Sequence, residues 1–330
     1  MMHRRTLLRA AAATPLLGTL AAPAVRAQGK APGFTHTVRL IVPNAPGGTS
    51  DILARLIAPE LTQAFGQNVV VENRAGAGGN IGADAVAKAD PDGHTMALLD
   101  LSVLAINPSL FPKIPFDVKK DLAPVSMVIY APYILAVKTA LPVNSAAELE
   151  AYAKKNPGVL NAANSGTGTA THLVQVALGE QWKAPFTHVP YRGGAPGLTA
   201  LVTGEADMTV VGATQALPYV LNKQMKGIAV TGPARFGNLP DAPTFRELGW
   251  TNPDAGTWQG VITTGGTPAP MVERISATLK EALAKPAIAS RIAELGGQPR
   301  PEGADSMRAW LERETENYGS LIRQHNIKPD

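Results

Sequence analysis

The sequence predicts an α/β fold, and three observations carry that prediction. Short β-type runs recur along the chain, and alanine- and leucine-rich segments of helical pattern lie between them. Two loops rich in glycine and hydroxyl residues each follow a strand-like segment and open a helix-like one. At 330 residues the chain exceeds one ordinary domain, so either two domains with a cleft between them or one large domain is expected.

The first 27 residues stand apart from the fold. Met1, Met2, His3, Arg4, Arg5, Thr6, Leu7, Leu8 and Arg9 form a charged start, and an apolar run from Ala10 to Val25 follows, interrupted by Pro15, Gly18 and Pro23. That run is too short and broken to span a bilayer comfortably and reads as an export signal. Val25-Arg26-Ala27 offers small residues to a signal peptidase, so Gln28 is the expected mature N-terminus, with Ala24 as an earlier cut. Paired arginines fit a twin-arginine route, and Sec export stays open. The leader holds four of the 30 basic residues and none of the acids, leaving 26 basic against 26 acidic residues. The mature chain is formally neutral, so no nucleic acid or charged membrane surface is expected as a partner. With no cysteine, a disulfide framework, a thiolate nucleophile and a zinc-thiolate site are all excluded.

In chain order, β-type runs are expected at Val38–Val42, Val69–Glu72, Thr95–Leu99, Ile134–Val137, Met208–Val211 and Ile228–Val230. Helical patterns fall at Asp51–Phe65, Asn80–Ala89, Ala146–Lys155, Ala195–Thr203, Pro270–Leu283 and Asp305–Gln324. Ser145 and Glu148 form a capping-box pattern before the third of these. In the last, Met307, Trp310, Leu311, Tyr318 and Leu321 share one face, which reads as core. Proline- and glycine-rich stretches at Asn107–Pro115, Thr231–Pro243 and Thr251–Pro268 read as connections, with domain crossings there or nearby.

The two loops, residues 43–51 and 164–172, are where anions are expected to dock. The first turn of a helix leaves backbone N–H groups unpaired and carries about half a positive charge, and glycine lets a carboxylate approach the main chain. Two such mouths about 120 residues apart suggest a clamp.

Other chemistries fail on spacing. Gly76-Ala77-Gly78-Gly79-Asn80-Ile81-Gly82 misses the third glycine of a dinucleotide fingerprint by one residue, Gly166 to Thr171 fails likewise, and no phosphate loop occurs. Ser165 lacks both flanking glycines of a nucleophile elbow. His36, His94, His172, His188 and His325 show no metal-ligand spacing, and no close carboxylate pair is evident. No cofactor and no metal are expected. Asp51 could cap its helix and hold the glycine turn, or meet a cationic group on a ligand. Thr167 and Thr169 could donate to a carboxylate or satisfy the local backbone. Arg74 and Arg192 stand beside glycine-rich turns, where either could reach an anion or form a surface ion pair. Trp258 could cover a cleft or pack in a hinge.

The run Val38–Asp51, with its Pro-x-x-Pro-Gly-Gly-x-x-Asp, and the run Val71–Gly82 resemble the Bug family, the extracytoplasmic solute receptors of tripartite tricarboxylate transporters. Ser165–Leu173, Val189–Pro196 with Gly204–Asp207, and Leu239–Phe245 agree in the same order. The resemblance covers nearly the whole mature chain. It implies a type II periplasmic binding fold: two α/β domains, residues 28–131 plus 245–330 and residues 132–244, joined by crossing strands and closing on a small carboxylate. It also implies no enzymatic activity, a periplasmic location, a monomer, and transporter membrane subunits or a sensor as partners. The loop matching Asn44–Asp51 reaches one end of the ligand in such receptors, the loop matching Ser165–Thr169 holds a carboxylate, residues 100–102 line the cleft, and the end of the strand Met208–Gly212 faces it. The expected ligand-binding set is Asn44, Ala45, Gly47, Gly48, Asp51, Ser102, Ser165, Thr167, Gly168, Thr169, Asp207 and Gly212. Two positions depart from the family pattern: Asn44 stands where a bulky apolar residue is common, and Gln175 where an acid is frequent. An exported enzyme acting on carboxylates through Ser165 or His172, and a scaffold with a vestigial cleft, are the competing classes.

Overall fold

The computed structural model describes residues 33–44, 46–47 and 49–329; the expected export signal, Ala45 and Gly48 lie outside the described residues. β1 (Val38–Val42), β2 (Val69–Asn73) and β3 (Thr95–Asp100) are parallel, in the order β2-β1-β3. α1 (Thr49–Phe65) and α2 (Asn80–Ala87) supply the crossovers, as parallel strands require. Beyond β3 a π-helical stretch, Ser102–Ile106, runs into α3 (Asn107–Leu110) and then β4 (Leu122–Lys138).

β4 is the organising strand. Its residues 122–132 pair antiparallel with β9 (Gly256–Thr264), which in turn pairs antiparallel with β3. Residues 133–138 pair instead with β7 (Met208–Gly212) and β8 (Met225–Val230). β5 (Asn161–Asn164) and β6 (Thr187–Pro190) extend the sheet beyond β7 in parallel. Its predominantly apolar sequence fits its burial, since 14 of its 17 residues are buried. The register slips around Pro124 and Ser126, where proline cannot donate to the ladder.

The helices α4 (Ala146–Lys155), α5 (Ala170–Trp182), α6 (Gly194–Thr203) and α7 (Ala213–Leu221) belong to the β5–β8 half. α8 (Ala269–Leu283), α9 (Pro286–Glu294), the short β10 (Gln298–Pro299) and α10 (Ala304–Gln324) close the chain, with β10 pairing back onto β4. One core unites Leu53, Ile57 and Leu61 of α1 with Ile275 and Leu279 of α8, spaced so that each set falls on one helix face. Burial of each such side chain contributes about 1.5–3 kcal/mol. Met307, Trp310, Leu311, Tyr318 and Leu321 of α10 are buried in a second core, as their spacing predicts.

Several expected boundaries move. Thr251–Pro268 is not a bare connection, because β9, a central strand, lies inside it. Its glycines are there for packing: a Cβ on Gly260 would sit 2.2 Å from Met307 Cε, and one on Gly256 would sit 2.7 Å from Ala131 O. Asn107–Pro115 likewise begins with α3. Ile134–Val137 is only the tail of β4, β5 is the strand-like segment expected before the second loop, and β6, α7 and α9 were not anticipated as elements.

Candidate solute-binding cavity

The loop after β1 is held by Asp51. This carboxylate accepts from Gly47 N at 3.0 Å and from Asn73 Nδ2 at 3.0 Å, and pairs with Arg55 Nη2 at 2.9 Å. The Arg55 guanidinium first, then the Gly47 N–H, hold its pKa down to about 2. Asn73 Nδ2 also donates to the Asn44 carbonyl, and the Asn44 side chain accepts from Ser50 Oγ at 3.3 Å. Asp51 therefore shapes the turn with its acceptors committed inside the protein, the first of the two roles open to it.

The second loop is built around its own hydroxyls. Thr169 caps α5: its Oγ1 accepts from His172 N at 3.4 Å and donates to Gly166 O at 2.7 Å. Thr171 Oγ1 accepts from Ser165 N, and Asn164 Oδ1 accepts from Gly166 N at 3.0 Å. Gly168, at φ +77°, donates its N–H to His172 Nδ1 at 3.1 Å. Gln175 is fully buried and donates to Ala163 O at 2.6 Å, which fixes the end of β5.

Between these loops lies a cavity of about 190 Å³. At about 30 Å³ per water molecule this is space for a small solute of a few heavy atoms. Thr49 brings the start of α1, Ala170 and Thr171 the start of α5, and Gly212, Thr214 and Gln215 the start of α7. Asp100, Leu101 and Ser102 enter where β3 gives way to the π-helical stretch, and Tyr133, Thr257 and Trp258 enter from β4 and β9. Residues at the starts of three helices thus line one space, where a helix end carries its positive dipole, and no lysine, arginine or histidine lines it among the described residues. Burial, more than any other influence, raises the Tyr133 hydroxyl above its usual range, so it stays a neutral donor.

Of the expected set, Ser102, Ser165, Thr169 and Gly212 line this cavity. Asn44, Gly47, Asp51, Thr167 and Gly168 are not among the lining residues and stand in the loops that frame it. Asp207 is not brought to the cavity at all. It opens the opposite end of β7, five residues or about 17 Å from Gly212, where it binds Lys138 Nζ at 2.6 Å and Asn161 N at 2.8 Å. Thr214, Gln215, Tyr133 and Thr257 escaped sequence reasoning. For the first two the sequence offers no signal, since α7 starts directly at the end of β7. Trp258 is fully buried, packs on Trp310 at 4.3 Å between ring centroids, and also walls the cavity. Larger clefts of about 460 and 650 Å³ elsewhere contain none of the expected site residues.

His36, Asp92 and His94 bring ligand-type atoms within 4.8 Å of one another. His94 Nε2 accepts from Thr35 N at 3.0 Å, which leaves the ring proton on Nδ1, 3.2 Å from Asp92. The His36 and His94 rings lie face to face at 3.8 Å. His94 Nε2 and Asp92 Oδ1 each accept from a backbone N–H, at 3.0 Å from Thr35 and 2.8 Å from His94, so both serve the local backbone.

An α/β sheet whose helix N-termini meet at one small polar cavity defines a solute-binding receptor. Residues 53–327 match the tripartite tricarboxylate transporter family receptor, and the chain belongs to that family. Over 292 residues it is 32% identical to protein BugT of Bordetella pertussis, covering 88% of this chain and 90% of that protein. Among solved structures, an R. palustris protein with adipate superposes with a TM-score of 0.77 at 31% identity, covering 90% of this chain and 99% of that one. MatC from Rhodopseudomonas palustris with bound malate superposes with a TM-score of 0.72 at 31% identity, covering 87% and 99%. The fold is accordingly that of a periplasmic binding protein, and the chain is a receptor and not an enzyme. Among the described residues, no helix is long and apolar enough to cross a membrane.

Proposed function

We propose that the protein captures a small organic carboxylate in the 190 Å³ cavity and presents it to the membrane subunits of a tripartite transporter or to a sensor. The observation that carries this reading is the convergence of the α1, α5 and α7 N-termini on a space without cationic side chains. Backbone N–H groups, hydroxyls and water then hold the anion, an arrangement that needs no salt bridge. The adipate and malate bound to the two R. palustris proteins support the ligand class.

The same reading takes residues 1–27 as a signal removed on export to the periplasm, and the mature protein as a monomer. It places two lobes, residues 28–131 with 245–330 and residues 132–244, on either side of the cavity. The switch of β4 from β9 to β7 and β8 at residues 132–133 supports that division. Closure of the lobes buries the ligand and creates the surface that a membrane partner reads.

A thermal-shift screen of small mono- and dicarboxylates, followed by calorimetric titration and mass spectrometry, tests the proposal. At least one carboxylate raises Tm and is recovered unchanged, and Ser102→Ala and Thr214→Val each weaken it about tenfold in Kd, the worth of roughly one hydrogen bond. A screen in which no carboxylate stabilises the protein, or one in which the ligand is turned over, defeats it.

A further inference from the structure

Resting on the carboxylate-receptor reading, we propose that Asp100 makes this cavity selective for carboxylates that also carry an ammonium group, amino acids and their close analogues in preference to plain dicarboxylates. Asp100 ends β3 opposite Gln259 of β9 and is partly exposed where it lines the cavity. It is the sole carboxylate among the lining residues, and it joins no ion pair among the described residues. One of its oxygens accepts from Val103 N at 3.2 Å, which anchors the side chain at the start of the π-helical stretch.

The cavity therefore has two electrostatic characters. The starts of α1, α5 and α7 present positive dipole ends, and Asp100 presents a negative group with no cation facing it. A zwitterion matches both at once, its carboxylate on the helix ends and its ammonium beside Asp100. A plain dicarboxylate would set a second negative charge in the space that Asp100 shares, where little water intervenes to screen it. Burial, outweighing the Val103 and Ser102 N–H groups, raises the Asp100 carboxyl above its usual range, and an ammonium group beside it would favour its charged form.

The test is calorimetric titration of the whole mature protein at pH 7.5 with amino acids and their des-amino counterparts, glutamate against glutarate and aspartate against succinate among them. The amino member of the best-bound pair binds at least tenfold tighter, and in Asp100→Asn that ratio collapses toward one. Equal binding of both members, or preference for the des-amino acid, overturns the assignment while leaving the receptor reading intact. So does a variant that keeps the wild-type ratio. A des-amino acid whose affinity climbs tenfold from pH 7.5 to 5, with its amino partner unbound, also overturns it, because Asp100 would then act as a protonated donor. If Asp100→Asn does not fold, the wild-type pairs alone decide. Failure of every carboxylate to bind sinks the receptor reading itself.

Discussion

Gly168 shows how much one residue position can decide. Its φ of +77° is a conformation that other residues adopt only under strain, and a Cβ there would lie 2.6 Å from Leu110 Cδ1 of α3. The loop after β5 thus seats α3 directly on its backbone, and the same residue's N–H is fixed by His172. Gly168→Ala should cost about 1–3 kcal/mol in chemical denaturation and raise the ligand Kd. Adding Leu110→Ala should recover part of the binding but not the backbone strain. Unchanged affinity in the single variant would show that the seat is irrelevant to the site. Glycines of this kind are legible in sequence as turns, whereas the side chain resting on them is not, since Leu110 lies 58 positions away. For the same reason Asp51 could be read as a cap or as a ligand contact, and only the positions of Arg55 and Asn73 decide between them.

At the level of elements, the strand-to-helix turns were the legible features. β1 into α1 and β5 into α5 stand where the glycine- and hydroxyl-rich loops place them. The cap of α5 carries the second turn, and Thr169→Ala should lower stability by about 1 kcal/mol and weaken ligand binding, while Thr169→Ser retains the hydroxyl and most of both. Equal loss in Ala and Ser variants would mean that the methyl group, not the cap, matters. Elements without periodicity were not legible. β5, Asn-Ala-Ala-Asn, was announced only by the loop that follows it, and β6, four residues ending in proline, is too short to show a period of two. β9 was masked by glycines that serve packing, and α7 begins immediately at the end of β7 with no loop to announce it.

For the molecule as a whole, pH sensitivity follows from groups whose pKa the fold displaces, His188 among them. Burial first, and the neighbouring His172 and His325 next, push His188 down to about 4. The unfolded chain, with an ordinary histidine near 6.5, binds the proton more readily, so this contribution is complete above about pH 6.5 and is lost as the pH falls toward 4. With His188 still partly exposed, about 2 kcal/mol is the expected scale. Denaturation midpoints measured from pH 7.5 to 4 should fall in wild type and fall less steeply in His188→Gln; parallel slopes would refute this. The α/β class was legible because it follows from alternation along the whole chain. The partition of strands around β4 was not legible in the residues themselves, because pairing partners 71 to 170 positions apart leave no local trace.

That partition sets a timetable for assembly. β4 lies near the middle of the chain, yet it is bordered on one side by β9 and touched by β10, and Ser126 Oγ donates to Glu302 O across 176 positions. The nascent chain therefore cannot complete its central strand until residues 298–302 have been made, and such distant closures favour slow refolding. Until then β4 offers unpaired, apolar edges to anything nearby, which is the interval in which a chaperone has the most to protect.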